Sequence, residues 1–410
     1  MLTATVRPTG TAEKCSNATL ISLKRKSPPV TDKDHISLLL PTRGRPQMLG
    51  QVFDSIEQTA AQKAKVAVWL YIDHDDQPTL DAIHSGQFEK YSFAIHWVVG
   101  ERTASLGELH NLTWQACTSG SGIFMLHADD TSFVTVGWDD IIRTAFNQYP
   151  DRILVAHPHE PELHEPTFQM ILSAEWMAVT GYFSTAYFPF WFDDVWLDQI
   201  GQIIGRRAQL PIKLGLIGGK GKTMRMRNMA FWTSFYNHTL EERVQTAAQL
   251  RDVICPQPGP ERERNEQAGL AVIQRSQAEK DNFSDLYALF REERHSSLSA
   301  DQRRKFDERY FNLEAKSVAM LLTKAQGRIQ ARQFAEAVSL LDVVAHSDLH
   351  SSHVNYLKAE ALRGQGKISE AETLERETGR QWPDNSLLRR LFRFVAYVFI
   401  EAKRMVYSKW

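Results

Sequence analysis

Short runs of apolar residues, each followed by polar residues, recur along the first part of the chain. They cover residues 36–40, 66–72, 93–99, 123–126 and 153–156. Such runs are typical of strands buried within a sheet, and the amphipathic pattern over residues 47–58 predicts a helix after the first strand. Strands that alternate with helices predict an α/β fold with a mostly parallel sheet. The functional site of such a sheet lies at the carboxyl ends of its strands.

Changes in composition divide the chain into segments. Residues 1–33 are rich in Thr, Ser, Lys and Pro and lack periodicity, which predicts a disordered leader. The α/β domain then extends over residues 34–255 and ends where three prolines within residues 256–260 break the chain. Residues 256–323 are charged and helical in pattern, which predicts a helical linker region.

Residues 324–386 contain an internal repeat with an offset of 34 residues. The matching pairs are Lys324-Ala325 with Lys358-Ala359, Phe334 with Ile368, Glu336-Ala337 with Glu370-Ala371, and Leu340 with Leu374. This period resembles that of tetratricopeptide repeats. Because two copies are few for a free-standing array, we expect them to dock on neighbouring helices or on a protein partner. Arg332 stands where the second copy has Gly366, so the first copy is the less regular one.

The final segment, residues 387–410, alternates apolar and aromatic residues with six basic residues and one acidic residue. A basic amphipathic helix of this kind binds anionic membrane surfaces. The same pattern is typical of a helix that caps the repeats with its apolar stripe buried. The sequence leaves both interpretations open.

The amino-acid composition limits the classes of protein to which the chain can belong. The chain has 410 residues and a formal net charge of -1, so no overall positive charge indicates a nucleic-acid partner. Cys15, Cys117 and Cys255 are far apart and form no CxxC pair, which predicts neither a zinc site nor a disulfide framework. There is no signal-peptide pattern and no apolar run of the ~20 residues that span a bilayer. We therefore expect a cytoplasmic protein, with peripheral contact to the inner face of the membrane through residues 387–410 as the alternative.

Two adjacent carboxylates, Asp129 and Asp130, follow the strand predicted at residues 123–126. On extended backbone their side chains point to opposite faces, so we expect one to bind a ligand and the other to support it. Carboxylate oxygens at a strand end are suited to a divalent cation that also contacts phosphate oxygens. The alternative is that both residues cap a turn or the next helix.

The order of several polar motifs resembles the nucleotide-binding half of family 2 glycosyltransferases with the GT-A fold. The motifs are Pro41-Thr42-Arg43-Gly44-Arg45-Pro46, Asp73-His74-Asp75-Asp76, His110-Asn111 and Leu126-His127-Ala128-Asp129-Asp130. The resemblance covers about residues 35–250 and implies a GT-A domain that binds a nucleotide-sugar.

The resemblance also implies roles for individual residues. It assigns Mn²⁺ or Mg²⁺ to Asp129 and contacts to the uracil or ribose of the donor to Asp73 and Asp75, and it includes Asn111 in the nucleotide site. His127 replaces the first Asp of the family's Asp-x-Asp motif, where it either hydrogen-bonds ribose or phosphate or is structural. Independently of the resemblance, Pro41 and Thr42 can present main-chain groups to a base edge. Arg43 and Arg45 can donate to phosphate.

Asp193 and Asp194 open a predicted helix after an aromatic run. The pair is similar to the family's Glu-Asp motif, which implies that Asp194 takes the proton of the acceptor hydroxyl. The alternative is that both acids serve only the helix N-terminus. The aromatic side chains, among them Tyr182, Phe190 and Trp191, either stack on sugars or pack in the core. His238 is a candidate for the metal-binding histidine that many GT-A enzymes have near the end of the domain sequence. The alternative is that His238 is structural.

Two further motifs predict less specific roles. Residues 216–223 imitate a phosphate-binding P-loop, but Leu216 occupies the position of the required first glycine. We therefore expect a flexible basic loop that closes over the diphosphate with Arg225 and Arg227. For His157-Pro158-His159-Glu160 we expect acceptor or loop contacts rather than a zinc site.

The sequence thus predicts a metal-dependent, inverting glycosyltransferase. It would move a sugar, most plausibly from a UDP-sugar, to a hydroxyl of a glycan or lipid-linked acceptor, as in cell-surface polysaccharide synthesis. One alternative, based on His127, is an inactive GT-A-like domain in a repeat-bearing scaffold. Another is a nucleotidyltransferase, for which the single glycine in residues 41–46 is unfavourable.

Overall fold

The computed structural model describes residues 3–5, 32–117, 120–159, 169–189, 192–218, 229–278, 300–347, 349 and 351–381. The chain divides into two compact units, Met1–Glu314 and Ala315–Trp410. Within the described part of the chain, no helix has the length and apolar character needed to cross a membrane.

The first unit is built on a mixed β-sheet. The strands are β1 (Thr3–Thr5), β2 (Asp32–Thr42), β3 (Val66–Asp73), β4 (Ala94–Gly100), β5 (Ser121–Leu126), β6 (Thr131–Phe133), β7 (Val155–Pro158), β8 (Ile171–Ser173), β9 (Arg207–Leu210) and β10 (Leu214–Leu216). Eight of them form one sheet in the order β1-β4-β3-β2-β5-β8-β7-β9, and β6 pairs with β10. The central strands β4, β3, β2 and β5 are parallel.

Helices cover both faces of this sheet. The α-helices of the described residues, in both units, are α1 (Pro46–Thr59), α2 (Gln77–His84), α3 (Leu106–Ala116), α4 (Trp138–Asn147), α5 (Ala174–Thr180), α6 (Asp193–Ile203), α7 (Met229–His238), α8 (Leu240–Ile254), α9 (Pro260–Ala278), α10 (Ala300–Gln330), α11 (Phe334–Ala345), α12 (Ser352–Gly364) and α13 (Ile368–Gln381). On one face, α1 and α4 pack against alternate sheet residues such as Leu38 and Val68. The intervening residues point to the opposite face, where α3 contacts β2 and β3 and α5 contacts β5.

This architecture confirms the predicted fold class, and the predicted strands appear at nearly the predicted positions. β2 is longer than its apolar run because it extends through Pro41 and Thr42, in register with Tyr71 and Ile72 of β3. The N-terminal segment differs from expectation, since residues 3–5 of the predicted disordered leader form β1, which pairs antiparallel with β4.

The end of α10 and the helices α11–α13 reproduce the 34-residue offset in their backbone. α10 and α12 end at Gln330 and Gly364, and α11 and α13 begin at Phe334 and Ile368. Alanines at matching positions, Ala325 with Ala359 and Ala337 with Ala371, are fully buried. The resemblance of this repeat to tetratricopeptide repeats stays a prediction. The tail at residues 387–410 lies outside the described residues.

Candidate functional site

The carboxyl ends of β2 and β5 lie at the switch point of the sheet, and the candidate site lies in the crevice expected outside them. From β2 the chain proceeds outward to β3 and β4 on one side and returns with β5 on the other side. Ligands of open α/β sheets bind at such a switch point, because the helices on its two sides lie on opposite faces. The loop after β2 carries Arg43 and Arg45, and the turn after β5 carries Asp129 and Asp130.

Asp129 is held by two groups from the β2 side of the crevice. Thr42 Oγ1 donates a hydrogen bond to Asp129 Oδ2 at 2.9 Å, and Arg45 Nη1 lies 3.1 Å from Asp129 Oδ1. The side chain of Asp129 is only 7% exposed. Burial raises the pKa of Asp129, while Arg45 and Thr42 oppose that rise. Both carboxylate oxygens therefore have a partner from the neighbouring strand end.

Asp130 contacts the same arginine as Asp129, although adjacent acids on extended backbone are expected to point to opposite faces. Asp130 Oδ2 lies 3.7 Å from Arg45 Nη1. The expectation assumed extended backbone, but Asp129 and Asp130 lie in a turn between β5 and β6. In a turn, neighbouring side chains are not constrained to opposite faces.

Arg43 bridges the acids that follow β3. Its Nη1 donates to Asp73 Oδ2 at 2.8 Å, and its two terminal nitrogens contact both oxygens of Asp75, Nη2 to Oδ2 at 3.0 Å. The hydrogen bond from Arg43 lowers the pKa of Asp75, whereas burial raises the pKa of Asp73. The residues predicted to meet phosphate and ribose thus contact each other.

The loop after β2 is also anchored through its main chain. Gly44 N donates to Asp76 Oδ2 at 2.8 Å, and Asp76 caps α2 by accepting from Thr79 N. Sequence reasoning counted Asp76 only as part of an acidic loop. Its position directly before a Gln-Pro helix start was the signal that identifies an N-cap.

His127 lies in the core rather than in the crevice. Its ring stacks on Phe133 with centroids 4.6 Å apart, and Nε2 lies 3.0 Å from the carbonyl oxygen of Thr131. Burial lowers the pKa of His127 to about 4, so the neutral ring donates from Nε2 to that carbonyl. Of the two roles considered for His127, the geometry favours the structural one.

Asn111 fastens a loop instead of facing the crevice. Its amide nitrogen donates to Ser184 O at 2.7 Å, and its carbonyl oxygen accepts from Phe183 N and Ser184 N. These three hydrogen bonds use both ends of the amide. Asn111 thus joins α3 to residues 183–184, and its role in the nucleotide site stays a prediction.

The acidic pair at residues 193–194 begins α6, as predicted. Asp193 is buried, and burial together with the charge of Asp194 raises its pKa to about 8. His110 Nδ1 lies 3.9 Å from Asp193 Oδ2, and burial lowers the pKa of His110 to about 3. Both groups are thus neutral at pH 7, and their contact is not an ion pair. Asp194 is partly exposed and accepts from Val195 N at 2.7 Å.

The aromatic residues before α6 belong to a packed core. Phe188 contacts Phe192 and Trp232, and the guanidinium of Arg243 lies 4.8 Å from the Trp196 ring and 3.9 Å from the Tyr236 ring. Core packing is therefore the role of these rings. Phe190 and Trp191 lie outside the described residues, as do Glu160 and the basic loop with Arg225 and Arg227.

Neither His238 nor the pair His157 and His159 lies in a group of metal ligands among the described residues. His238 Nδ1 lies 2.8 Å from Ser234 O, one turn earlier in α7. His157 is buried with Nδ1 3.0 Å from Pro158 O, and His159 is exposed. Over the described ranges of the chain, no group of three or more His, Cys, Asp or Glu side chains is arranged to hold a metal ion.

Comparisons with known proteins identify only a remote likeness. No protein-family model matches the sequence, and no curated protein matches it. S. aureus TarS 1-349 in complex with UDP-GlcNAc is 10% identical, covers 85% of this chain and 92% of its own, and has a TM-score of 0.44.

Mannosyltransferase PcManGT from Pyrobaculum calidifontis, in complex with GDP-Man and Mn²⁺, is 14% identical, covers 78% of this chain and 88% of its own, and has a TM-score of 0.39. Both likenesses are too distant to assign an activity.

Proposed function

We propose that the chain is a glycosyltransferase that uses a nucleotide-diphosphate sugar, with a UDP-sugar as the first candidate. The observation that carries the proposal is the pair of arginines at the switch point, Arg43 held by Asp73 and Asp75 and Arg45 held by Asp129. A guanidinium donates to phosphate oxygens in a planar fork. The motif order that resembles family 2 glycosyltransferases adds the reaction class.

In the proposed reaction, a hydroxyl oxygen of a glycan or lipid-linked acceptor attacks the anomeric carbon of the donor sugar. The new C–O bond forms as the bond from that carbon to the diphosphate oxygen breaks, which inverts the configuration. Asp194 accepts the hydroxyl proton, and the nucleoside diphosphate leaves with its charge opposed by arginine. Asp194 suits this role because it is partly exposed, unlike its neighbour Asp193.

The predicted divalent cation at Asp129 and His238 does not fit the described residues. Both oxygens of Asp129 are engaged by Thr42 and Arg45, and His238 contacts the main chain of its own helix. A cation bound to Asp129 would lie close to the positive charge of Arg45, which disfavours its binding. The proposed mechanism therefore contains no step that depends on a metal.

The remaining parts of the proposal concern partners and location. From the sequence patterns alone, we propose a protein partner at the helices α11–α13. The same patterns support a cytoplasmic position, with residues 387–410 at a membrane surface.

One observation favours an inactive scaffold as the second candidate function. His127, which replaces an acid of the family motif, is buried away from the crevice.

The first experiment is calorimetric titration of the full-length protein with UDP, GDP and CDP, in EDTA and in manganese. We expect one nucleotide to bind more tightly than the other two. Binding of one nucleotide supports the proposal and selects the donor for transfer assays with candidate acceptors. No binding of any nucleotide in either buffer would contradict it and favour the scaffold.

A further inference from the structure

We propose that Arg45 takes the place of a divalent cation beside Asp129, so that the donor's diphosphate binds without metal. The inference rests on the proposed function and deepens it, because it names the group that meets the diphosphate. It starts from the disagreement between the predicted metal site and the observed contacts of Asp129.

The guanidinium of Arg45 places a positive charge directly beside Asp129 and Asp130. Its Nη1 lies 3.1 Å from Asp129 Oδ1 and 3.7 Å from Asp130 Oδ2. Mg²⁺ binds carboxylate oxygens at about 2.0–2.1 Å, so a metal on Asp129 Oδ1 would lie against a like-charged guanidinium. The second oxygen, Oδ2, already accepts from Thr42. Asp129 thus has a cationic partner supplied by the chain itself.

The position of Arg45 is fixed by the backbone. Arg45 is the N-cap residue of α1, and Pro46 follows it as the first helical residue. The proline ring restricts the backbone at this helix start. On the other side, Gly44 is tied to Asp76 by a hydrogen bond of 2.8 Å. Both neighbours of Arg45 therefore limit the positions that its side chain can reach.

Arg45 remains able to bind a ligand while it contacts Asp129. A guanidinium has five N–H donors, and the closest contacts to both acids are made by a single nitrogen, Nη1. The side chain is 32% exposed, whereas that of Asp129 is 7% exposed. A diphosphate that enters the crevice thus meets Arg45 first, with Asp129 behind it to orient the guanidinium.

The N-terminus of α1 adds to the positive charge at the position of Arg45. The first turn of this 14-residue helix contains no acidic residue, and the side chain of Arg45 makes no capping hydrogen bond. Helix N-termini carry partial positive charge and expose N–H groups that bind anions. This contribution adds to the full charge of Arg45, which lies at that helix start.

The test compares UDP titrations of the full-length protein in EDTA and in manganese, with GDP or CDP in place of UDP if one of them binds instead. We expect the wild-type protein to bind with the same affinity in both buffers. Arg45→Ala should weaken binding in EDTA by roughly 10–100-fold, the range for loss of a hydrogen bond to a charged group. Arg45→Lys, which keeps the charge but not the fork, should bind more tightly than Arg45→Ala.

Arg262→Ala is the matched control. The side chain of Arg262 is 27% exposed, similar to that of Arg45, and it pairs with Asp252 and Glu266. Neither of these acids belongs to the candidate site. This variant should bind the nucleotide as the wild type does. Circular dichroism verifies that each variant is folded. The comparison of EDTA with manganese for the wild-type protein tests the inference without any variant.

The outcomes separate this inference from the proposed function. Nucleotide binding that occurs only in manganese would overturn the role of Arg45 but leave the glycosyltransferase proposal in place. Unchanged nucleotide binding by Arg45→Ala in EDTA would also overturn the role of Arg45. Failure of all nucleotides to bind in either buffer would instead overturn the proposed function, and this inference with it.

Discussion

Asp193 and Asp194 show how burial gives neighbouring carboxylates different chemistry. Burial and the charge of Asp194 raise the pKa of Asp193 to about 8, which favours its protonated form at neutral pH and makes it a poorer proton acceptor. Asp194 is partly exposed at the same helix start. At the scale of single residues, the structure therefore distinguishes two candidates that the sequence treats as a pair.

This difference predicts the effect of two matched variants on transfer. Asp194→Asn should lower the transfer rate by about 10²–10⁴-fold, the usual contribution of a general base, while the affinity for nucleotide stays the same. Asp193→Asn should retain most of the activity at pH 7, because asparagine resembles the neutral acid. Rates from a transfer assay and affinities from calorimetry check both. A loss in Asp193→Asn as large as that in Asp194→Asn would refute the distinction.

The raised pKa of Asp193 also predicts a pH dependence of stability. The folded protein keeps a proton on Asp193 up to about pH 8, whereas the unfolded chain releases it near the ordinary value of 3.8. The contribution of Asp193 to stability is therefore complete below that lower value and declines as the pH rises towards 8. The melting temperature of Asp193→Asn, measured relative to the wild type, should rise between pH 5 and pH 8. A constant difference would contradict the raised pKa.

Among the elements, α3 joins the sheet to the segment before α6. Asn111 holds residues 183–184, and the Cα of Gly107 lies so close to the segment that an added Cβ would be 1.8 Å from Thr185 O. No side chain fits between these backbones. The close approach, together with His110 against Asp193, fixes α3 relative to the acidic pair.

Gly107→Ala should therefore destabilise the first unit, because the backbone of α3 or of Thr185 must shift. We expect a loss of unfolding free energy of at least about 1–3 kcal/mol, the usual cost of overpacking. Gly50→Ala in α1 is the control, since an added Cβ there meets nothing within 4 Å, and it should stabilise by about 0.5–1 kcal/mol. Thermal unfolding by circular dichroism compares the two. Equal melting temperatures would mean that α3 can move freely.

The turn between α10 and α11 contains a residue in an unfavourable conformation. Arg332 has φ of 59°, and its counterpart Gly366 in the turn between α12 and α13 has φ of 79°. Left-handed backbone costs a residue with a Cβ roughly 1–2 kcal/mol, and only the second copy of the repeat avoids that cost with glycine.

Arg332→Gly should consequently stabilise the first copy. Part of the gain is lost because glycine is more flexible in the unfolded chain, so we expect a net effect of about 0.5–1 kcal/mol. Hydrogen exchange of the amides in α11 should slow. Gly366→Ala is the reciprocal control and should accelerate exchange in α13. Faster exchange in Arg332→Gly would show that the arginine side chain stabilises the turn.

For the whole molecule, the division into two units predicts separable functions. Every candidate site residue lies within Met1–Glu314, whereas Ala359, Leu362 and Ala371 form a small core in Ala315–Trp410. The nucleotide site should therefore not depend on the integrity of that core.

Ala359→Asp tests this independence in the full-length chain. A buried, unpaired charge is strongly unfavourable, so hydrogen exchange in α12 and α13 should become fast while nucleotide affinity stays unchanged. The same substitution at the exposed Ala335 in α11 is the control and should leave exchange in α12 and α13 unchanged. A loss of nucleotide binding in Ala359→Asp alone would contradict the independence of the units.

The strands that the sequence predicted are those whose signal is local. β2, β3 and β5 have long apolar runs, which burial on both faces explains, and β4 is largely apolar although most of its residues are only partly buried. β1, β6 and β10 have three residues each, and their pairing partners are distant, as for Thr3 with Val99 and Leu216 with Thr131. Such strands are defined by tertiary contacts, so no local pattern identifies them.

The same limit applies to the candidate site. The sequence predicts the edge of the sheet at which the candidate site lies, because parallel strands bring their carboxyl ends together. The strand ends at this edge carry Arg43, Arg45, Asp73 and Asp129. The pairing of Arg45 with Asp129 and the burial of His127 depend on the turn after β5, whose conformation the sequence does not specify. The contacts of these side chains are therefore less predictable from the sequence than the edge of the sheet at which they lie.

The antiparallel pairing of β1 with β4 has a consequence for how copies of the chain behave together. β4 would otherwise form the edge of the sheet, with main-chain groups available to pair with another molecule. Three residues at the start of the chain occupy those groups. Detachment of β1, for instance by a bulky fusion at the N-terminus, would expose the β4 edge and favour aggregation, so affinity tags belong elsewhere on this protein.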